Sequence, residues 1–80
     1  PMRLQTLGNT QTLVHVGGQE YFFSYNTCVA GRDDCGEFWK VDYRISNTTT
    51  KHIKAYLDGI NDAHVRRVSY DDVTLAMDCV

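Results

Sequence analysis

The sequence predicts an α+β domain, with an antiparallel β-meander of about four strands that is covered on one face by one or two short C-terminal helices. In the first half of the chain, β-branched and aromatic residues recur with a period of two, which is typical of strands. From Thr49 onward the apolar spacing becomes that of a helix. Eighty residues supply one hydrophobic core, so we expect residues 2–80 to form a single domain. Pro1 is interpreted as the remnant of a cleaved expression tag and is left out of the fold.

The first predicted hairpin joins strands over Thr12–Val16 and Glu20–Tyr25. Both segments are rich in residues that favour strands, and Gly17 and Gly18 lie between them. Two glycines can take the positive φ angles of a tight two-residue turn at no steric cost. This is the clearest local signal in the sequence, and it predicts that the two strands pair directly.

The second predicted hairpin joins Thr27–Gly31 to Glu37–Ile45 through the loop 32–36, whose aspartates and glycine favour turns. The last strand alternates clearly, because its apolar side chains fall on one face and its charged side chains on the other. The apolar positions are Trp39, Val41, Tyr43 and Ile45, and the charged positions are Lys40, Asp42 and Arg44. We therefore expect a sheet with one face in water and the other covered by the helices that follow.

An amphipathic helix is predicted in the segment that follows the sheet. Its apolar residues have the spacing i, i+3, i+4, i+7 and are Ile53, Tyr56, Leu57 and Ile60. Ser46, Thr48 or Thr49 can cap the amides of its first turn. Gly59 suits the left-handed residue that commonly ends a helix. The predicted helix therefore covers the apolar face of the sheet.

The C-terminal segment permits two interpretations. Residues 64–68 are either an edge strand or a link between helices. Beyond them, Ser69 and Asp72 form a capping box, with Val68 and Val73 placed as a hydrophobic staple. A C-terminal helix is favoured because one helical face carries Val73, Ala76, Met77 and Val80. A final strand is the alternative, because residues 73–77 also alternate weakly.

The charge, the length of the apolar runs and the cysteine count exclude several classes of protein and several kinds of site. A net charge of −2 gives no long-range attraction for polyphosphates. Apolar runs are far shorter than a bilayer span and no secretory leader is visible, so we expect a cytoplasmic protein that does not enter a membrane. Three cysteines, an odd count, favour reduced thiols, with a Cys28–Cys35 disulfide across the second hairpin as the alternative. No metal or cofactor is expected, because a zinc site from Cys28, Cys35, Cys79 and His52 would lack paired short spacings.

The hydroxyl-rich start of the predicted helix is the first candidate site. Free amides, hydroxyls and a lysine at a helix start can face an anion, and the residues concerned are Thr48, Thr49, Thr50, Lys51 and His52. The segment lacks the glycine-rich cradle of a P-loop, and capping alone also accounts for its threonines. The ring of His52 is interpreted as a structural hydrogen-bonding group rather than a catalytic base, and we expect no enzymatic activity.

Two segments together resemble small uncharacterised phage-encoded proteins. One is the run Tyr21-Phe-Phe-Ser-Tyr-Asn-Thr-Cys-Val-Ala30, which is similar to a Phe-Ser-Tyr-x-Thr-Pro-Val-Ala strand in those proteins. The other is Ser46-x-Thr-Thr-x-Lys-His-Ile53, which is similar to the start of their helix. The resemblance covers about half of the chain, and the sequence departs from it at Cys28, where the pattern has proline.

The resemblance implies a small phage protein made in the cytoplasm of a bacterial host. Such proteins often bind and modulate a host or defence protein, and this is the function we expect. Tyr21, Phe22 and Tyr25 are the predicted aromatic anchors for that partner. The alternative is a module that sequesters nucleotides or binds nucleic acid through Thr48–His52. A homodimer is compatible with the small size of the core.

Overall fold

A computed structural model describes residues 2–42, 45–69, 71 and 73 of the chain. Its elements are β1 (Arg3–Gly8), β2 (Gln11–Val16), β3 (Gln19–Ser24), β4 (Thr27–Arg32), β5 (Phe38–Val41), α1 (Asn47–Tyr56), a short 3-10 helix (Asp62–His64) and β6 (Val65–Val68). The six strands form one sheet in the order β1-β2-β3-β4-β5-β6. Neighbouring strands are antiparallel except for β5 and β6, which are parallel. The predicted α+β class is confirmed.

The sheet has six strands rather than the predicted four. Strand β1 was missed because its two leucines, Leu4 and Leu7, are three residues apart and give no period of two. Its backbone is held by pairing with β2, in which Leu4 lies opposite Val14. Strand β6 is the edge strand that the sequence left open, and it reaches β5 through α1 as a parallel crossover. Both additions are edge strands, whose weak local signals are outweighed by pairing with a neighbour.

The Gly17-Gly18 hairpin is confirmed. Their φ angles are +53° and +84°, so both glycines take the left-handed conformation that the tight turn requires. Val16 pairs with Gln19 directly beside the turn, and the register continues without a shift along β2 and β3.

The second hairpin is also present, but its last strand is shorter than predicted. Strand β5 ends at Val41, and Ile45 is 42 % exposed instead of lying on the packed face. The Asp42 N–H donates the closing hydrogen bond to the Val68 carbonyl at 2.8 Å, after which the chain leaves the sheet for the helix. Tyr43 and Arg44, which were also assigned to this strand, lie outside the described residues.

Helix α1 begins where the capping residues predict. Ser46 is the N-cap, and its Oγ accepts a hydrogen bond from the Thr49 N–H at 3.0 Å. The helix ends at Tyr56, with Leu57 as its buried C-cap. Gly59 follows in the left-handed conformation at φ +83°. The predicted amphipathic helix is therefore confirmed.

The core lies on both faces of the sheet, which corrects the prediction of one wet face. On one face the Tyr56 ring of α1 stacks on Phe22 with 4.6 Å between ring centroids, and its edge meets Phe38 at 6.0 Å. Because side chains alternate along a strand, Trp39 points away from α1, and its ring meets Tyr21 edge-on at 6.2 Å. The helix therefore covers the side of Phe38 and Lys40, not the side of Trp39 as predicted.

The described part of the C-terminal segment joins the second face. Val68 and Val73 line a small cavity together with Tyr21 and Trp39, and Val73 is buried. The Val73 N–H donates to the Ser69 carbonyl at 3.2 Å, a helical hydrogen bond. The rest of the predicted C-terminal helix, together with Asp72 of the capping box, lies outside the described residues.

Gly31 in β4 has no side chain, and this allows the aromatic rings on the second face of the sheet to pack against the strand. Gly31 lies between Tyr21 and Trp39 in the sheet register. A Cβ at this position would lie 2.5 Å from the Trp39 ring and 2.3 Å from the Glu20 carbonyl oxygen. The indole therefore occupies space that any other residue at position 31 would fill.

We expect Gly31→Ala to lower the free energy of unfolding by about 1–3 kcal/mol, because the added methyl group overpacks a filled site. Urea unfolding followed by circular dichroism measures this loss. The emission maximum of native Trp39 should also shift, since its ring must move. Gly59→Ala is the control: a Cβ there has open space, so only the left-handed backbone is strained and the Trp39 emission stays unchanged. An unchanged emission and stability in Gly31→Ala would contradict the packing argument.

Candidate functional site

The structure gathers some of the predicted site residues at one end of the sheet and buries others in the core. Tyr25, Thr49 and His52 come together around Ser24, the last residue of β3. Thr48 and Lys51 are exposed on the outside of α1. The end of the sheet that carries the turn after β3 and the start of α1 is therefore where most of the predicted residues meet.

Hydrogen bonds from Ser24 tie this end of the sheet to the helix. Its Oγ lies 2.8 Å from His52 Nδ1 and 3.1 Å from Thr49 Oγ1. Thr49 and His52 are three residues apart in α1, so their side chains lie on the same helix face. Ser24 is 2 % exposed and Thr49 4 %, so these hydroxyls satisfy each other in the interior. The cluster fixes the first turns of α1 against β3.

A serine next to a histidine nitrogen is also the arrangement of a nucleophile and its base. Here the serine is closed to a substrate, since only 2 % of Ser24 is exposed. Among residues 2–42, 45–69, 71 and 73, no acidic side chain is paired with the His52 ring to orient it. The hydrogen bond between Ser24 and His52 therefore has the geometry of a structural tie, which is the role predicted for His52.

Tyr25 is the predicted anchor that reaches the surface. It is 54 % exposed, and its ring lies 5.8 Å from the ring of His52. Its φ angle of +56° is unusual for an aromatic residue. The Tyr25 N–H donates to the Thr10 carbonyl at 2.7 Å, so the turn after β3 is fixed to the turn after β1. Strained backbone of this kind persists only where the surroundings hold it, and such positions cluster at functional sites.

Tyr21 and Phe22 are core residues, so their assignment as surface anchors is corrected. Tyr21 is 3 % exposed and Phe22 is fully buried. The period-two pattern predicted that β3 is half-buried, but α1 covers one of its faces and Trp39 and Val73 cover the other. Neither aromatic ring is available to a partner in the folded protein.

Two of the threonines predicted to face an anion, Thr49 and Thr50, are used in capping α1 and in its contact with β3. The Thr50 N–H and hydroxyl both donate to the Ser46 carbonyl, at 3.0 and 2.9 Å. The amide of Thr49 is capped by Ser46, and its hydroxyl faces Ser24. Capping therefore accounts for these threonines, as the sequence allowed.

An open groove beside Thr50 carries basic side chains, among them Lys40, Lys54 and Arg67. Two of them are partnered, because Asp62 lies 2.8 Å from Lys40 Nζ and 3.4 Å from Arg67 Nη2. The hydrogen bond from Lys40 lowers the pKa of the Asp62 carboxyl, so this carboxylate stays charged at neutral pH. Asp62 therefore offsets one of the three positive charges of the groove, and Asp42, which also lines it, offsets a second.

The sequence missed a buried polar network on the α1 face of the sheet. The Tyr56 hydroxyl donates to the carboxylate of Glu20, and His15 Nδ1 lies 3.5 Å from the other oxygen of that carboxylate. Burial and the hydrogen bond to Glu20 raise the pKa of Tyr56 well above its ordinary value. The register of β2 and β3 and the packing of α1 bring these residues together, so no local spacing could have indicated the network.

The described cysteines are both free thiols, Cys28 in the core and Cys35 in the exposed loop before β5. Burial raises the pKa of Cys28 to about 12, so its thiol is inert at neutral pH. The nearby carboxylates of Asp34 and Asp33 raise the pKa of Cys35 as well. Ligand atoms of these three loop residues lie within 4.8 Å of one another. Since exposed acidic loops of this kind are common, this cluster alone does not define a metal site.

The fold and site thus define a small α+β domain whose helix is tied to the end of a six-stranded sheet. The chain belongs to the family described as "Family of unknown function (DUF8033)", whose model matches residues 2–73. No curated protein and no solved structure matches the chain. Within the part of the chain that the structure describes, no helix has the length and apolar character needed to cross a membrane.

We expect Ser24→Ala to reduce the free energy of unfolding by about 1–3 kcal/mol, because it leaves His52 Nδ1 and the buried Thr49 hydroxyl without their partner. Urea unfolding of the variant and the wild type measures the difference. Thr48→Ala is the matched control, since this exposed hydroxyl should cost no more than about 0.5 kcal/mol. Equal losses in the two variants would show that the tie contributes nothing specific.

The loop carboxylates should control the reactivity of Cys35. Replacing Asp34 by Asn removes the largest cause of the raised pKa, so more thiolate forms at a fixed pH near 8 and alkylation by iodoacetamide becomes faster. Peptide mass mapping follows the modification of Cys35 separately from the other cysteines. Glu37→Gln is the control, because Glu37 has the smallest influence on this thiol. A rate that does not change in Asp34→Asn would disprove the electrostatic explanation.

Proposed function

We propose that the protein is a small binding protein without catalysis of its own, and that its edge strand β1 receives a strand of a protein partner. The observation that carries this proposal is the exposure of β1. All six residues of Arg3–Gly8 are exposed, although the strand is part of the sheet. Exposed edge strands are the elements to which peptides and proteins add a further strand.

Among the residues that the structure describes, no strand pairs with the outer edge of β1. Strand β1 pairs with β2 on its other side, so the N–H and C=O groups of every second residue point outward and are available for hydrogen bonding. Natural edge strands are commonly protected by charged residues or proline. The segment Arg3–Gly8 contains one charged residue and no proline, and its register shift lies at its end, between Thr6 and Gly8. The regular part, residues 3–6, is therefore poorly protected against strand addition.

Apolar side chains make this edge a favourable surface for a protein. Met2 is 70 % exposed, Leu4 65 % and Leu7 42 %. Strand addition gains affinity from backbone hydrogen bonds and specificity from side chains like these. Adjacent exposed apolar side chains on a small domain are typical of interaction sites.

Tyr25 extends the proposed surface beyond the strand. The turn that carries it is hydrogen-bonded to Thr10, directly after β1. The exposed Tyr25 ring is therefore placed to contact the same partner, and aromatic anchors commonly supply much of the binding energy. Of the three aromatic residues predicted as anchors, Tyr25 is retained in this proposal.

The resemblance to phage-encoded proteins supports a host or defence protein of the bacterial cytoplasm as the partner. A second copy of the chain is the other candidate, because two β1 strands could pair across a twofold axis. The two candidates differ in the measured oligomeric state. A monomer that binds a host protein fits the first candidate, and a dimer that is lost when the edge is changed fits the second.

We expect Leu4→Lys to weaken partner binding at least about tenfold, or about 1.4 kcal/mol, because a lysine replaces an apolar contact at the edge. Tagged wild-type and variant chains are compared by quantitative mass spectrometry of proteins captured from bacterial lysate, and the affinity for the recovered protein is then measured. Sedimentation velocity of the isolated chains tests self-association.

Ala63→Lys is the matched control, because it adds the same charge at an exposed position just before β6, which is the opposite edge strand of the sheet. The proposal fails if Leu4→Lys and Ala63→Lys retain the same partner with equal affinity. It also fails if the wild-type chain is monomeric and captures no protein beyond those recovered by Leu4→Lys.

A further inference from the structure

A row of charged side chains crosses four strands on the α1 face of the sheet, at the end that carries the Gly17-Gly18 turn. The register places Arg3 opposite His15, His15 opposite Glu20, and Glu20 opposite Arg32. Directly opposed residues point to the same face, so the four side chains are neighbours on one surface. Arg3, His15 and Arg32 also line an open depression of about 530 Å³ beside the turn.

The single carboxylate in this row is used inside the protein. Glu20 accepts a hydrogen bond from the Tyr56 hydroxyl and lies 3.5 Å from His15 Nδ1. Its side chain is 14 % exposed, so it is directed toward α1 and away from water. Within the described ranges, neither Arg3 nor Arg32 forms an ion pair with an acidic side chain. The depression is therefore bordered by two guanidinium groups whose charge is not compensated by direct pairing.

His15 supplies the observation that points to a ligand. While its Nδ1 faces Glu20, its Nε2 atom is buried and has no hydrogen-bond partner in the structure. A buried polar atom without a partner is unfavourable, so a ligand that reaches Nε2 would satisfy it. With Nδ1–H directed to Glu20, a protonated ring would offer Nε2–H to an anion, and a neutral ring would accept a hydrogen bond at Nε2 from a ligand hydroxyl.

The position of Arg32 fits this arrangement. Its guanidinium group lies 6.0 Å from the centre of the Phe38 ring, which supports the arginine from one side. Arginines recognise oxyanions through planar, bidentate hydrogen bonds. Asp34 lies close to the turn, because its Cβ is 3.9 Å from where a Cβ on Gly18 would be. Asp34 would weaken the binding of an anion there, so we expect modest affinity.

We propose that Arg3, His15 and Arg32 form a binding site for a phosphoryl-type oxyanion. The arginines supply the charge, and the Nε2 atom of His15 supplies a directed hydrogen bond. This site lies on the α1 face of the sheet, and its evidence is separate from that for partner binding at the backbone edge of β1. The oxyanion belongs either to free phosphate or to a phosphomonoester, because both present the same group to the site.

NMR titration of the uniformly ¹⁵N-labelled chain tests the site with inorganic phosphate, at constant ionic strength and pH 6.5. We expect saturable shifts of the His15 ring nitrogens and of the Gly17 and Gly18 amides, with saturation in the low-millimolar range. Glycerol 2-phosphate is titrated in parallel. Tighter binding of the ester than of phosphate would indicate a phosphomonoester as the ligand, and acetate should shift the same signals far less.

Arg3→Gln and Arg32→Gln should each raise the dissociation constant at least about fivefold. Arg67→Gln is the control, because it removes the same charge at an exposed position on β6 that lines a different groove and lies beside Asp62, and it should leave the affinity unchanged. Circular dichroism confirms that each variant is folded. Shifts that grow linearly with phosphate concentration, or equal losses in Arg67→Gln, would overturn the proposal. Equal responses to acetate and phosphate would also overturn it, because they would show general charge screening.

Discussion

The absence of a side chain at Gly31 is the constraint on which the two-sided core depends. The Trp39 indole lies against β4 where a Cβ would be 2.5 Å away, and from there it reaches Tyr21 on the far side of the strand. Val73 then closes over this surface with 4 % exposure. If a side chain at position 31 displaced the indole, the second face would lose its largest apolar group. An 80-residue chain has a small core, so the loss of one face would remove a large share of its stability.

The other face depends on one helix that is held at both ends by different kinds of contact. At its C-terminal end, Tyr56 stacks on Phe22 and donates its hydroxyl to Glu20, which combines apolar burial with a buried hydrogen bond. At its first turn, the hydroxyl of Ser24 holds Thr49 and His52. The second contact is polar and directional, so it fixes where α1 starts rather than adding much apolar burial. Together they set the position of the helix relative to the turn that carries Tyr25 and the strand that carries His15.

The sequence predicted the elements that carry strong local signals. The Gly17-Gly18 turn, the capped start of α1 and the structural role of His52 could all be inferred from residue types and short spacings. The strands at the two edges could not, because Leu4 and Leu7 show no alternation and the segment Val65–Val68 is short and polar. Burial of Tyr21 and Phe22 was also missed, since a half-buried strand and a strand covered on both faces differ in tertiary packing and not in local pattern. The network around Glu20 depends on the register between β2 and β3 and on the packing of Tyr56 from α1.

Strand β1 carries parts of both proposed surfaces, and its alternation separates them. Arg3 lies opposite His15 and therefore points to the α1 face, whereas Leu4 lies opposite Val14 and points to the other. Backbone pairing along the outer edge of β1 uses neither side chain directly. A partner strand on this edge would nevertheless lie next to Arg3. A side chain of the partner that points to the α1 face would therefore lie in the electrostatic field of Arg3 and His15. A partner strand with an acidic residue opposite Arg3 would therefore compete with the oxyanion, while one with an apolar residue there would leave the site open.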